Sequence, residues 1–428
     1  MNPNTFPMQQ TWDKVYQVTH HKIPVYPAVS NYRLAQGLEK GDTVNRQYRS
    51  AMYARPMGGD GSYRRQSLTD TNQQLVIDQV YETSFYIKKL DDIQRHLPTQ
   101  KAYAMDASKA IFNQIDGHIL GHYDSFSNTL DAGDLGGTDG EGITVTTGNV
   151  RKLFSKSSKK LQRNNIMIDN SAKFTGFKKE DSKRDMAVAV ISPDVHEMLL
   201  ESLDGKDSDL GDKVGIQGHV GRYMGYEIFV SNAIGWSGRL TAVATNFSDG
   251  DTVTINGVTA TILDTLGTTP GNVKRGASLA LTLDALVAFY NDSEGLELDA
   301  DGVGGSGTVG TLYVECTQAN RDLLRNVVAT DGATYMGIKA TGLGYVEVSE
   351  TATPADIVWT PALQVQHCLF GIANSIDAVI QKTPSAMTQP RTGYVGLDVV
   401  TWSAWGARVF QEAIVKMVDV WVRTDAYN

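Results

Sequence analysis

The sequence predicts an α+β chain of several packed units, with a β-rich α+β block inserted in its second half. Three observations carry that expectation. Between Arg184 and Ile234 an apolar strand, a short helix, a Gly- and Asp-rich loop and a second apolar strand follow in order. From Ala104 to Tyr123 apolar residues recur at three- and four-residue spacing, the stripe of an amphipathic helix. From Ser237 to Thr353 the texture turns acidic, Thr-rich and Gly-rich. A chain of 428 residues is also too long for one simple core and suits two or three domains.

Charge narrows the function. The net charge of −9 argues against a general nucleic-acid binder. Its distribution is uneven. Arg151 to Asp185 holds eleven Lys/Arg against four Asp/Glu, a net of +7, while Ser237 to Thr353 holds six against fourteen, a net of −8. Cys316 and Cys368 are the two cysteines, with no CxxC, so reduced buried thiols are expected and neither a disulfide framework nor a zinc site. The N-terminal stretch lacks a basic region followed by an apolar core, so no signal peptide is expected. No run of eighteen apolar residues is present, so no membrane span is expected.

Residues 1–40 carry Pro3, Pro7, Pro24 and Pro27, which discourage long elements. Phe6, Trp12, Tyr16, Ile23 and Tyr26 are too apolar for a free tail, so an extended arm lying on another surface is expected. Residues 41–90 read as a long hairpin. One flank is Thr43 to Arg49, the other Gln74 to Ile87, and Gly58, Gly59 and Gly61 mark its tip. Such a two-stranded ribbon cannot bury itself alone. It packs on the parent domain or reaches a neighbouring subunit, where Trp12 and Tyr16 of the arm and Arg46, Arg49, Arg55, Arg64 and Arg65 are the candidate contacts. The plainer reading of the arginines is a solvated basic edge that blocks edge pairing.

A helix of roughly 38 Å follows Pro98 and runs to about Tyr123. A second, capped at Thr146-Thr147, runs from Gly148 to Arg163 with Leu153, Phe154, Ser157 and Leu161 on its apolar face and most of the basic charge on the other. That charge suits either phosphate or partner carboxylates. Met186 to Ile191 is a strand, Asp194 to Ser202 a helix capped by Ser192 or Asp194, and Tyr226 to Val230 a strand. In the acidic block, Asn256-Gly257 between β-branched runs demands a type I′ hairpin. Gly276 to Tyr290 reads as a helix, and Leu312 to Cys316 and Tyr345 to Val348 as strands. The loop Asp299 to Gly307 lacks the Glu that closes a calcium site. From Ile357 the first texture resumes and ends in EAIVKMVDVWVRT, whose Ile414, Val415, Met417, Val418, Val420, Trp421 and Val422 read as a largely buried final strand.

Catalytic motifs are absent. No GxSxG, GxxxxGK[ST] or HExxH occurs. His118 and His122 lie four apart without the Glu of a zinc-hydrolase helix, so a polar helix face is expected. His367 and Cys368 are neighbours whose side chains alternate on a strand, so buried structural residues are expected rather than a dyad. The expectation is no enzyme and no cofactor, metal or catalytic residue.

The hairpin stretch GDTVNRQYRSAMYARPMGGDGSYRRQSLTDTNQQLVIDQVYETSFYI, the Ala104 to Tyr123 helix, and the order TTGNVRKLFSKSSKKLQRNN, MAVAVISPDVHEMLLES, GRYMGYEIFVSNAI resemble the major capsid proteins of tailed bacteriophages. The resemblance is to the Hong Kong 97-type fold. It implies an N-terminal arm (1–40), an extended hairpin loop (41–90), a peripheral domain with a spine helix (91–140), an axial domain (141–236), an inserted accessory domain (237–356) and a return through both domains (357–428). It implies a virion protein assembled in the bacterial cytoplasm, forming hexamers and pentamers around double-stranded DNA. Portal and scaffolding proteins, and on some coats decoration proteins, are the further partners it implies, with no membrane. The acidic block suits an outward face. Some members crosslink through a hairpin lysine; here Lys40 and Lys88 flank a tip that carries only Arg, so no crosslink is expected. Two other readings remain: an encapsulin-like shell around an enzyme, and a hydrolase with a β-rich accessory domain.

Overall fold

The computed structural model describes residues 23–31, 43–49, 52–57, 65–88, 99–166, 187–203, 221–242, 246–291, 312–332, 334–352, 357–390 and 396–424. Trp12, Tyr16, Arg64, the hairpin tip and the Asp299 to Gly307 loop lie outside them.

A ten-stranded sheet organises the described residues. Its centre is Val365–Ile372, buried at every position. On one side this strand pairs with Ala187–Ile191, buried throughout, which pairs in parallel with Tyr226–Val230. Met417–Arg423 also pairs with it, antiparallel. Continuous apolar runs suit strands covered on both faces. One cover is the helix Val150–Arg163, which seats Leu153, Phe154 and Leu161 in the core. Phe154 and Tyr226 meet Phe370 edge to face, at 5.0 and 5.7 Å between ring centres.

The helix Thr99–Leu120 buries Ala107, Ile111, Ile115 and Ile119 in the same core. Its 22 residues span about 33 Å, and a 3-10 turn, Gly121–Ser125, continues it to the buried Tyr123. The helix Pro193–Leu203 begins as the sequence suggests, with the Val195 amide donating to Ser192 Oγ at 3.3 Å. The basic helix begins at Val150 rather than at a Thr cap. Asn149 folds back instead, accepting from the Thr146 amide and donating to the Thr144 carbonyl.

The 237–356 block has a second core, centred on Trp236, Phe247, Phe289 and Met336. It carries a four-stranded sheet in the order Asn272–Lys274, Val258–Leu263, Thr252–Ile255, Val348–Thr351. Asn256 and Gly257 turn its hairpin with φ of 50° and 79°, as a type I′ turn requires. The helix Leu279–Asn291 packs on Val327–Gly332. The block also shares the large sheet. Gly235–Ala242 pairs with Val365–Ile372 on one edge and with Tyr335–Ala340 on the other. Gly117 of the long helix then lies so close to the block that a Cβ would sit 2.6 Å from Gly342 Cα.

Three expected strands differ. Gln74 to Ile87 is two strands. Asp70–Val76 pairs with Thr43–Arg49, whereas Gln79–Lys88 pairs with Gly396–Arg408. The chain bends between them at Ile77-Asp78, where a Cβ on Gly406 would lie 2.1 Å from the Val76 carbonyl oxygen. Leu312 to Cys316 makes only an isolated bridge, Tyr313 to Val273. Tyr345 to Val348 is irregular after the left-handed Gly342 and Gly344, and the strand starts at Val348.

Candidate assembly surfaces

Asp377 is the point at which the arm, the hairpin and the C-terminal segment meet. Its Oδ1 accepts from Asn31 Nδ2 at 3.0 Å and its Oδ2 from Arg46 Nη1 at 2.8 Å. Arg46 also pairs with Glu412 and lies over the Phe410 ring, 5.2 Å from its centre. Burial pushes the Asp377 carboxyl up, and Arg46 and Asn31 pull it back. Beneath this cluster Leu75, Val379 and Phe410 form a small apolar core. Arm residues Val25, Tyr26 and Val29 are buried against the chain itself, and both the Val25 and Tyr26 amides donate to the buried Asp116 Oδ1, at 2.8 and 2.6 Å. The root of the arm therefore lies on its own subunit. Arg46 is likewise committed within the chain, while Arg49, Arg55 and Arg65 are exposed. No sequence signal marks Asp377, because its partners lie 346 and 331 residues away.

Beyond its root the hairpin changes character. Met52, Tyr53, Met57 and Leu68 are 63–72% exposed. Four large exposed apolar side chains on one hairpin are what a docking surface requires.

His118 and His122 meet edge to face at 5.1 Å between ring centres, near Trp405. His118 Nδ1 and His122 Nε2 are buried without a partner among the described residues. Burial and the neighbouring His122 push His118 down to about 4, against the opposing pull of Asp78. His122 is lowered by burial too, opposed by Asp124 and Asp78. Asp78 stands at the hairpin bend, so two half-buried imidazoles lie beside the point where the hairpin leaves the body. They do not form a polar helix face, as expected from sequence. Among the described residues no group of three His, Cys, Asp or Glu is placed to hold a metal ion.

His367 is buried, and so is Cys368, whose thiol burial pushes up to about 12. His367 nonetheless belongs to a chain that sequence reasoning missed. Its Nε2 lies 2.9 Å from Ser237 Oγ and its Nδ1 2.9 Å from Asp419 Oδ2. Trp421 Nε1 donates to the same carboxylate at 2.7 Å, and the Tyr123 ring stacks on the imidazole at 3.7 Å. Gly235 makes that stacking possible, because a Cβ there would meet the ring at 2.2 Å. The connectivity is that of an acyl-transfer triad, but that chemistry also needs oxyanion donors and a substrate cleft. Ser237 lies within a strand paired on both sides, opposite Val365 and Lys339. The cavity of about 270 Å³ nearby is lined by Asp194, Asn232, Leu343 and Gln366, not by Ser237, His367 or Asp419. The geometry is that of a buried polar tie between the first strand of the 237–356 block, the C-terminal strand and the end of the long helix.

No family model matches the sequence, and no curated protein does. Solved structures match the fold. A structure from Mycobacterium phage Che8 aligns over 98% of both chains with a TM-score of 0.52 at 12% identity. The capsid structure of the cyanophage P-SCSP1u aligns over 98% of this chain and 94% of that one, with a TM-score of 0.50 at 10% identity. Among the described residues no helix is long and apolar enough to cross a membrane. The described residues thus form a mixed α+β fold with several sheets, similar to that of these phage structures.

Proposed function

We propose that the chain is the major capsid protein of a tailed bacteriophage, with the Hong Kong 97-type organisation. It assembles into hexamers and pentamers of an icosahedral head around double-stranded DNA. One observation supports this most: a hairpin anchored at Asp377 and Leu75 that carries Met52, Tyr53, Met57 and Leu68 into solvent. Those side chains would be covered by a neighbouring copy. Residues 1–40 would act as arm, 41–90 as hairpin loop, 91–140 as peripheral domain, 141–236 as axial wedge and 357–428 as the return. Residues 237–356 would form an accessory domain facing outward, joined through the shared strand Gly235–Ala242. Trp12, Tyr16, Arg49, Arg55, Arg64 and Arg65 remain the candidate contacts between copies. Portal, scaffolding and decoration proteins would be further partners, and the particle would be completed in the host cytoplasm. Purified chain is expected to give closed particles in negative stain, with no ladder of linked subunits in denaturing electrophoresis. A chain that stays monomeric at high concentration and high salt, with or without co-expressed phage proteins, would overturn the proposal. Enzyme rather than DNA inside native particles would favour an encapsulin-like shell.

A further inference from the structure

We infer that the outward crest of the helix Val150–Arg163 binds the phosphodiester backbone of double-stranded DNA. The helix holds six Lys/Arg and no Asp or Glu. Its cations divide by position. At one flank Arg151 Nη2 donates to the Ser202 carbonyl at 2.6 Å. At the other Lys160 pairs with Asp134 and the Thr129 carbonyl. Between them Lys152, Lys156, Lys159 and Arg163 have no carboxylate partner among the described residues. At 100° per residue these four fall within about 60° of one another, centred about 145° from the buried Leu153, Phe154, Ser157 and Leu161; Lys152, Lys159 and Arg163 are exposed and Lys156 is half-buried.

Self-repulsion makes this crest costly for the chain alone. Like charges three and four residues apart destabilise a helix. Lys152 also lies in the first turn, where the helix dipole disfavours a cation. A polyanion laid along the crest relieves both. From Lys152 to Arg163 the crest runs about 16 Å, along which duplex DNA presents roughly one charge per 1.7 Å. Over that length roughly ten phosphate charges face the four cations, so each cation finds a phosphate without a set spacing, whereas a protein carboxylate cluster would have to place its groups one by one. The net charge of −9 argues against the whole chain as a DNA binder, and this one face is the exception. The inference deepens the capsid reading by naming a face that would meet packaged DNA, but the binding belongs to the unassembled chain and is measured there.

The test uses the full chain, kept unassembled by dilution, and a labelled duplex of roughly 20 base pairs. Fluorescence polarisation follows affinity from about 50 to about 300 mM NaCl. Four phosphate contacts predict a slope of log K against log salt near −3.6, about −0.9 each. The combined Lys152→Gln, Lys156→Gln, Lys159→Gln, Arg163→Gln variant is expected to lose most of that slope with unchanged circular dichroism. The charge-retaining Lys→Arg version at the three lysines is expected to keep it. A wild-type chain that does not bind, or a Gln variant with the wild-type slope, overturns the inference. So does a Gln variant that binds DNA normally yet no longer assembles, which would make the crest a contact between copies, for example with the acidic 237–356 block. Negative stain on the same preparations separates the two readings. Crest-dependent binding without particles sinks the shell and keeps the site; particles without crest-dependent binding do the reverse.

Discussion

The hairpin Thr43–Arg49/Asp70–Val76 and the strand Val365–Ile372 are both β structure, yet Leu75 alone is buried in the first and every residue is buried in the second. The strand is completed inside the chain, with partners on both edges and helices above it. The hairpin is completed only at its root, by Asp377, Leu75 and the Gly406 crossing. The two regions therefore draw stability from different sources, and substitutions should separate them.

The largest effect is expected in the sheet. Phe370→Ala removes the ring that Phe154 and Tyr226 pack against, and loss of a buried Phe costs about 3–5 kcal/mol. Thermal unfolding of the unassembled subunit checks it. A loss below about 1 kcal/mol would mean that the aromatic cluster is not the centre of the core.

Acid should act next, at the hairpin bend. Folding holds His118 near 4 against an ordinary 6.5. Between those values the unfolded chain binds the extra proton, so stability is full above about 6.5 and is lost as pH falls toward 4. The fall from 6.5 to about 4 is worth on the order of 3 kcal/mol. His122 is depressed in the same direction and adds to it. A His118→Phe variant should flatten the pH dependence of Tm across this window. An unchanged slope would place the acid response elsewhere.

A smaller effect is expected at the root. Asp377→Ala removes the acceptor of Asn31 and one of the two carboxylates of Arg46, and should cost about 1–3 kcal/mol, the range for leaving buried or charged groups unpaired. Asp377→Asn should cost less, because its amide oxygen still accepts from one of the two partners and a charge that burial disfavours is removed. Hydrogen exchange of the Thr43–Arg49 amides reads the root directly. Equal protection in both variants and in the wild type would remove Asp377 from the anchor.

Legibility in the sequence follows the same division. Strands buried on both faces read as unbroken apolar runs, so Ala187–Ile191 and Met417–Arg423 were visible from composition alone. So were the Asn256-Gly257 turn and the Ile111, Ile115, Ile119 stripe, because φ and helix period leave local marks. What was illegible is long-range. The bend at Ile77-Asp78 depends on Gly406, and the Asp377 cluster joins segments hundreds of residues apart. The sharing of one sheet by the 237–356 block depends on Gly235–Ala242 finding Val365–Ile372, and Ser237 meets His367 across 130 residues. Alternation in a strand states which residues share a face, never which strand lies beside it.

The sharpest form of the comparison is a change that leaves the subunit alone. Met52, Tyr53, Met57 and Leu68 touch little of their own chain, so replacing all four with Ser should change subunit stability by no more than the roughly 0.5 kcal/mol per site typical of surface positions. The same side chains covered by a neighbour would each contribute about 1.5–3 kcal/mol to assembly. Even one such contribution, at about 1.4 kcal/mol per factor of ten, raises the critical concentration for particle formation about tenfold. Light scattering against protein concentration measures it. The opposite result, lowered Tm with unchanged assembly, would mean that the apolar stretch packs within its own subunit and that the hairpin, like the central strand, is completed inside the chain.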